Sequence, residues 1–435
     1  MKYSKIAFTL SLFTLLAFSC SDIPNNDVYP AAFGEGATPV ITALNPADST
    51  LAGVGNIEIV GKNFSPVLSE NFVYFGKDFR ANLLEASENR LLVASPNLAG
   101  SMQIKVSTLN ADLFSPPFPK NDTVLVAGEI DTIIVNNYKL KPAVASIGNI
   151  LAGASADEIY GLAVDADENV FIYIGRLGAS KAKLKKITPA GETITLSEEL
   201  QFDRPNAMRM GPGGDMYIAV FAGRVKGIFK LDQAGISTSF ATTTTKPQDI
   251  DIDQNGNLWV AAEQNIIRIS SDAAKNDVVE SVEVNNLTAV RVYNGFLYYA
   301  GNDLTSGVQK IWKSEIQGDI LAARDTVLNI ANTSFPQNTT ISALTFSEDG
   351  KMYVSFSNAE RNIVNAIRTY DETAGEGVLY DGLVNSDVEA MAWGNATNIY
   401  AIRQYYVSVE GVAKIHSQLF RIDVGESGAP YFGRQ

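Results

Sequence analysis

From residue 143 to the end of the chain the sequence repeats itself six times, and no other feature constrains the fold as tightly. Each unit has an alternating apolar strand, a polar turn and a second strand with an aromatic near its middle. The first reads Gly161-Leu162-Ala163-Val164-Asp165, then Asn169-Val170-Phe171-Ile172-Tyr173. The third reads Asp249-Ile250-Asp251-Ile252-Asp253, then Asn255-Gly256-Asn257-Leu258-Trp259-Val260. The sixth reads Ala390-Met391-Ala392-Trp393, then Asn398-Ile399-Tyr400-Ala401. An apolar-basic strand follows each pair, from Leu184-Lys185-Lys186-Ile187 to Leu419-Phe420-Arg421-Ile422. The spacing of roughly 40 to 55 residues suits one four-stranded blade per unit. A lone four-stranded sheet cannot bury both faces, so the units must stack, and six in a ring leave no terminal blade exposed. The sixth unit lacks room for a fourth strand after Ile422, and the stretch from Val144 to Gly153 can supply it. The expectation is a six-bladed β-propeller over 143–435.

Ahead of the repeats, residues 38–120 read as short strands divided by turn residues. Val40-Ile41-Thr42-Ala43-Leu44 runs into Asn45-Pro46, and Ile57-Glu58-Ile59-Val60 alternates. Val73-Tyr74-Phe75, Leu91-Leu92-Val93 and Ile104-Lys105-Val106 follow. About eighty residues with a turn every ten or so suggest an antiparallel sandwich. Gly61 and Gly76 suit turns with positive φ, Phe64 suits a core plug, and Pro96 suits a strand end. Pro39-Val40-Ile41, Asn45-Pro46, Gly61-Lys62-Asn63-Phe64, Val73-Tyr74-Phe75-Gly76, Pro96 and Gly100 together resemble the IPT/TIG immunoglobulin-like family. That resemblance implies a spacer or a contact module. Residues 121–142 are expected to be a linker. The fold class is therefore all-β, a small immunoglobulin-like β-sandwich plus a six-bladed β-propeller.

The amino terminus reads as an address. Lys2 and Lys5 precede an apolar run from Ile6 to Phe18. The run is shorter than the ~20 residues a membrane span needs and suits a signal peptide over residues 1–19. Leu16-Ala17-Phe18-Ser19-Cys20 resembles the bacterial lipobox, which implies a lipid on Cys20. Ser21-Asp22 after it resembles lipoproteins of Bacteroidetes. The expectation is a tether over 20–37 and a chain held to the outer membrane through its lipid, exposed at the cell surface, with the periplasmic face as the alternative.

Composition removes whole classes of chemistry. The chain has one cysteine and one histidine, so no internal disulfide or multi-Cys or multi-His metal centre can form. The histidine, His416, lies in a polar segment with no nucleophile elbow beside it. The formal net charge of −14 disfavours nucleic acid as a partner.

The repeats resemble NHL and gluconolactonase-like propellers over about 290 residues. The gluconolactonase-like resemblance implies a divalent cation, such as calcium, in the channel and hydrolysis of a lactone. The matching positions for a metal are Glu158, Asn206 and Gln248. Gln248 stands where a carboxylate would help, and Glu158 lacks the Glu-Gly-Pro context. Asp251-Ile252-Asp253-Gln254-Asn255-Gly256 briefly looks like a calcium loop, but Ala262 stands where a bidentate Glu is required. A strand-connecting turn accounts for it better.

Propeller loops gather round one mouth, where ligands bind. The loops after the second strands carry Arg176, Arg224, Arg403, Tyr405 and Tyr406 as binding candidates, with Tyr405-Tyr406 suited to stacking on sugar rings. The expected function is non-catalytic binding of an extracellular glycan or partner protein, with no cofactor required. The metal-dependent lactone hydrolase is the alternative.

Overall fold

The computed structural model describes residues 36–120, 122–124, 132–134, 137–147, 158–176, 180–200, 202, 205–222, 225–409 and 411–434. The expected signal peptide, Cys20, nearly all of the tether, Arg224 and residues 148–153 lie outside them, and Arg176 is described in its backbone only. The chain divides into two compact units, Met1–Ala143 and Val144–Gln435. Among the described residues the structure is all-β, broken only by single turns of 3-10 helix.

In the first unit one sheet runs Val40–Asn45, Asn56–Lys62, Arg90–Ala94, Asn82–Ser87, and a second runs Phe79–Arg80, Asn71–Phe75, Ile104–Thr108. Strands with one wet face must alternate. Ile57 and Ile59 of one sheet and Val73 and Phe75 of the other are accordingly buried while their neighbours are not. These residues, with Leu91, Val93, Ile104 and Val106, form the core between the sheets.

Two expectations for this unit are corrected. Gly61 does not take positive φ; Gly76 does, at 65°. At Gly61 the constraint is space, since a Cβ there would lie 2.1 Å from the Val40 carbonyl oxygen and 2.4 Å from the Phe64 ring. Phe64 is buried directly over the bare backbone. The segment 121–142 is also more than a linker. Asp122–Val124 pairs with Thr132–Ile134. Tyr138–Pro142 lies between Ser49–Ala52 and Gly100–Met102 in a third sheet. Tyr138 and Leu140, spaced by two, are buried in the sandwich core, and this periodicity makes the segment a strand.

The second unit is a six-bladed propeller of antiparallel sheets, four-stranded in five blades and five-stranded in the fourth. The innermost strands are Glu158–Val164, Pro205–Met210, Pro247–Ile252, Val284–Tyr293, Thr340–Phe346 and Asp387–Trp393. Each packs on the next, and the sixth packs on the first, closing the ring. Burial falls from the axis outward. Leu258–Ala262, second in blade three, is buried at every position, whereas Thr193–Ser197, outermost in blade one, is mostly exposed. A strand covered on both faces reads as a continuous apolar run, and one at the rim does not need to.

Blade six takes its outer strand from the start of the unit. Val144, Ala145 and Ser146 pair antiparallel with Ile422, Arg421 and Phe420. The polar turns recur as read. Asp253 accepts from the backbone N–H groups of Asn255 and Asn257 and from the Trp259 indole, and Gly256 takes φ of 78°. The carboxylate of the calcium-loop look-alike is therefore spent on the turn itself.

Candidate functional site

Every innermost strand slips its register near its start, and Val284–Tyr293 does so twice, between Val284 and Leu287 and again before Ala289. One skipped residue recurs at the same place in each blade: Gly161, Asn206, Gln248, Thr288, Ser342 and Glu389. A β-bulge re-aims a side chain that regular pairing would hold in the ladder. Repeated in six blades, it aims six positions at the axis, and all six line a cavity of about 260 Å³ at the starts of these strands.

The ring is polar and partly wired from blade to blade. Asn206 Nδ2 donates to the Pro247 carbonyl oxygen at 2.6 Å, and Ser342 Oγ donates to the Val388 carbonyl oxygen. In both cases a bulge side chain bonds to the residue just before the bulge of the next blade. Glu389 is the ring's one carboxylate. Arg361, on the loop after Met352–Ser357, reaches across the seam and donates through Nη1 to Glu389 Oε1 at 2.7 Å. Arg361 holds a φ of 51°, so its backbone is in a region that non-glycine residues seldom occupy. Beside this pair Asp387 is fully buried, with Oδ2 accepting from the Asn358 N–H at 2.7 Å. Burial pushes the Asp387 carboxyl up to about 6; the Asn358 N–H opposes this, Glu389 adds to it and Arg361 opposes it.

The cavity has a charged floor. Arg209 and Arg291 both end on Asp249, at 2.9 Å and 2.8 Å, and Asp249 also accepts from the Val290 N–H at 3.0 Å. All three side chains are buried. Asp251 takes the Val292 N–H at 2.7 Å, and burial raises its carboxyl. Toward the strand ends a smaller cavity of about 60 Å³ follows, walled by Met210, Phe346, Met391 and Trp393. The carboxy-terminal segment borders it. Ala429, Pro430 and Tyr431 line it, and the Tyr431 hydroxyl donates to the Met210 carbonyl oxygen at 2.8 Å.

Of the positions read from sequence for a metal, Asn206 and Gln248 reach the cavity and Glu158 does not. Glu158 pairs with Gly175, short of the bulge, and blade one presents Gly161 to the ring instead. The residues fit a divalent cation poorly. Calcium takes six to eight oxygens and gains most from carboxylates. This ring has one carboxylate, already matched by a guanidinium, and among the described residues no three of His, Cys, Asp or Glu come together as a metal site.

The binding candidates of blade six separate. Asn398–Val409 and Val412–Asp423 form a long hairpin that places Tyr405 opposite His416 and Tyr406 opposite Ile415. Neighbours on a strand face opposite ways. Tyr405 packs on the His416 ring at 5.1 Å and under Arg403 at 5.6 Å, and Arg403 Nε donates to Gln418 at 2.6 Å. Neither Tyr405 nor Arg403 lines the cavity, so the tyrosines make no joint platform. Gln404, on the other face, does line it. Tyr406, farther along that face, leans on the loop of Arg361, its hydroxyl 3.4 Å from the Ala359 carbonyl oxygen.

Sequence reasoning missed Glu389, Arg361 and the floor. The floor had a visible signal: Arg209, Asp249, Asp251 and Arg291 are charges set inside otherwise apolar strands. A buried charge is retained only when it is paired. Arg361 had none, because a loop residue carries no periodicity.

Comparison with known proteins agrees with this architecture. Residues 39–119 match the IPT/TIG domain family. No curated protein matches the sequence. Among solved structures, a luciferin-regenerating enzyme is 14% identical with a TM-score of 0.50, covering 66% of this chain and 98% of its own. A Bacteroides thetaiotaomicron protein named as a candidate phosphatase is 12% identical with a TM-score of 0.51, covering 92% of this chain and 98% of its own. An auxiliary nutrient binding protein from Bacteroides ovatus is 10% identical with a TM-score of 0.44, covering 92% and 100%. At such identities the first two likenesses are of fold alone.

Proposed function

We propose that this chain is a lipid-anchored surface protein whose propeller binds a saccharide in the polar cavity at the starts of its innermost strands, without turning it over. The observation that carries the reading is the ring of six bulges, which lines one cavity with amide, hydroxyl and carboxylate groups on rigid strands. Hydroxyl-rich ligands are recognised by such fixed polar groups in a concave site. His416, the single histidine, is engaged with Tyr405 on the hairpin and does not line the cavity. The sequence supports the anchor, since the only cysteine stands where a lipid would be attached.

A glycan array probed with the full chain tests the binding. Retention of at least one saccharide, weakened tenfold or more by Gln248→Ala, is expected. Retention of none overturns the reading. Retention unaffected by Gln248→Ala moves the site elsewhere.

A further inference from the structure

We infer that a cleft between blades four and five is a second binding site, which takes a small primary alkylammonium over its aromatic rings and beside its carboxylates. The site is independent of the axial cavity and of the saccharide reading above.

The cleft measures about 320 Å³, at the small end of ligand sites. Tyr293 and Phe346 line it and are the last residues of Val284–Tyr293 and Thr340–Phe346, so it lies at the opposite end of these strands from the bulges. Tyr293 stacks on Phe346 with ring centroids 4.6 Å apart, and Tyr298 packs on Phe346 at 4.7 Å. Phe296 and Tyr370 add two more rings. Among the charged residues of the lining, Asp349, Asp371 and Glu372 stand against a single cation, Lys313. An aromatic face attracts a cation through its quadrupole, the more so where water is excluded. Lys313 shows this recognition within the chain: its Nζ lies 5.5 Å from the Phe296 centroid and 3.2 Å from Glu372 Oε1. Asp349 accepts from the Ser347 hydroxyl, and Asp371 from the Thr373 and Ala374 N–H groups. Those bonds fix both carboxylates in their turns and leave their charges unmatched by any cation of the lining.

Tyr298 points to an occupant independently. It pairs with Arg291, the third residue past the recurring bulge, and Trp259, Tyr353 and Tyr400 hold the same place in blades three, five and six. In those blades the polar atom ends on a carboxylate of the chain. Trp259 Nε1 donates to Asp253 at 2.9 Å, the Tyr353 hydroxyl to Glu426 at 2.9 Å and the Tyr400 hydroxyl to Glu168 at 2.6 Å. In blade two the same place is held by Tyr217, whose ring lies under Lys230 at 5.9 Å. Tyr298 is 8% exposed and lines the cleft, and its hydroxyl has no hydrogen-bond partner among the described residues. Burial pushes this hydroxyl up to about 12, and Glu372 adds to the rise. It is therefore neutral, with lone pairs free to accept. Polar groups so nearly buried are seldom left unbonded. A primary ammonium brings three donors and a charge, which meets the open hydroxyl, the rings and the carboxylates together.

A ligand-observed NMR titration of the full chain at low ionic strength, with butylammonium, tetramethylammonium, butanol and butyrate as probes, tests the site. Butylammonium is expected to bind about tenfold more tightly than butanol, which has its shape without its charge, and more tightly still than butyrate. Tyr370→Ala and Glu372→Gln should each weaken butylammonium by about fivefold or more. Tyr298→Phe keeps the ring and removes the hydroxyl, so it should weaken butylammonium about fivefold and leave tetramethylammonium, which has no N–H, unchanged. Lys313→Met removes the resident cation and should tighten both ammonium ions. A melting curve checks that each variant is folded. Butanol bound as tightly as butylammonium overturns the cation assignment. Butylammonium binding that survives both Tyr370→Ala and Glu372→Gln lies elsewhere and overturns the site, as does the lack of saturable binding to the folded wild-type chain. Equal effects of Tyr298→Phe on the two ammonium ions overturn the hydroxyl contact. The glycan array decides saccharide binding separately, so neither result stands in for the other.

Discussion

Asp249 Oδ2 accepts from Arg291 Nη1 at 2.8 Å while its Oδ1 accepts from Arg209 Nη2 at 2.9 Å, so one buried carboxylate of blade three ties blade two to blade four. Removing one member of a buried ion pair leaves the other charge uncompensated, at a cost of about 3–5 kcal/mol. Asp249→Ala should therefore destabilise the propeller by about that amount, and Asp249→Asn by less, because its amide oxygen can still accept. Urea unfolding of the variants checks this. Wild-type stability in Asp249→Ala would show that the floor holds nothing together.

Asp387 should make stability depend on pH. Its ordinary value of 3.8 is raised to about 6 in the fold, mainly by burial. Between these values the folded protein keeps a proton that the unfolded chain has released. Stability thus falls as pH rises through this window, and the full cost is present above about 6. Asp387→Asn carries no charge to bury. Its melting temperature should gain on wild type between pH 4.5 and 7.5, and parallel profiles would contradict the assignment. Glu389 and Arg361, which face Asp387, remain in both proteins, so the difference isolates the one group.

Val144–Ser146 should hold the ring closed. Besides the pairing, Ile147 N–H donates to the Leu419 carbonyl oxygen at 3.0 Å and Gln418 Nε2 to Ser146 Oγ at 2.6 Å. Deleting Val144–Ser146 strips about three bonds of ~1 kcal/mol each and bares the edge of Val412–Asp423. At roughly 2 °C per kcal/mol or more for a unit of this size, a melting temperature lower by about 6 °C is expected, with aggregation on heating. An unchanged melting temperature would mean the blade needs no fourth strand.

Cys20 should carry the lipid. Cys20→Ser is expected to leave an unprocessed precursor that takes up no labelled fatty acid. Intact mass showing a mature wild-type chain that starts elsewhere, with no acyl group, would refute this.

The sequence by itself determined the blade count and the all-β class, because strand periodicity and a recurring turn are local properties written six times over. It also held the sandwich core, since alternation at Ile57, Ile59, Val73 and Phe75 sorts inside from outside. The opposite facing of Tyr405 and Tyr406 was available too, for neighbours in a strand must diverge. Tertiary structure alone decided the site. A bulge adds one residue to a strand without changing its composition, so only the pairing partner reveals that Asn206 and Glu389 are skipped and Glu158 is not. Likewise Arg361 meets Glu389 across 28 residues of chain only because blades five and six pack side by side. Local patterning specifies which segments are strands; register and ring closure, which are non-local, specify which side chains face the axis.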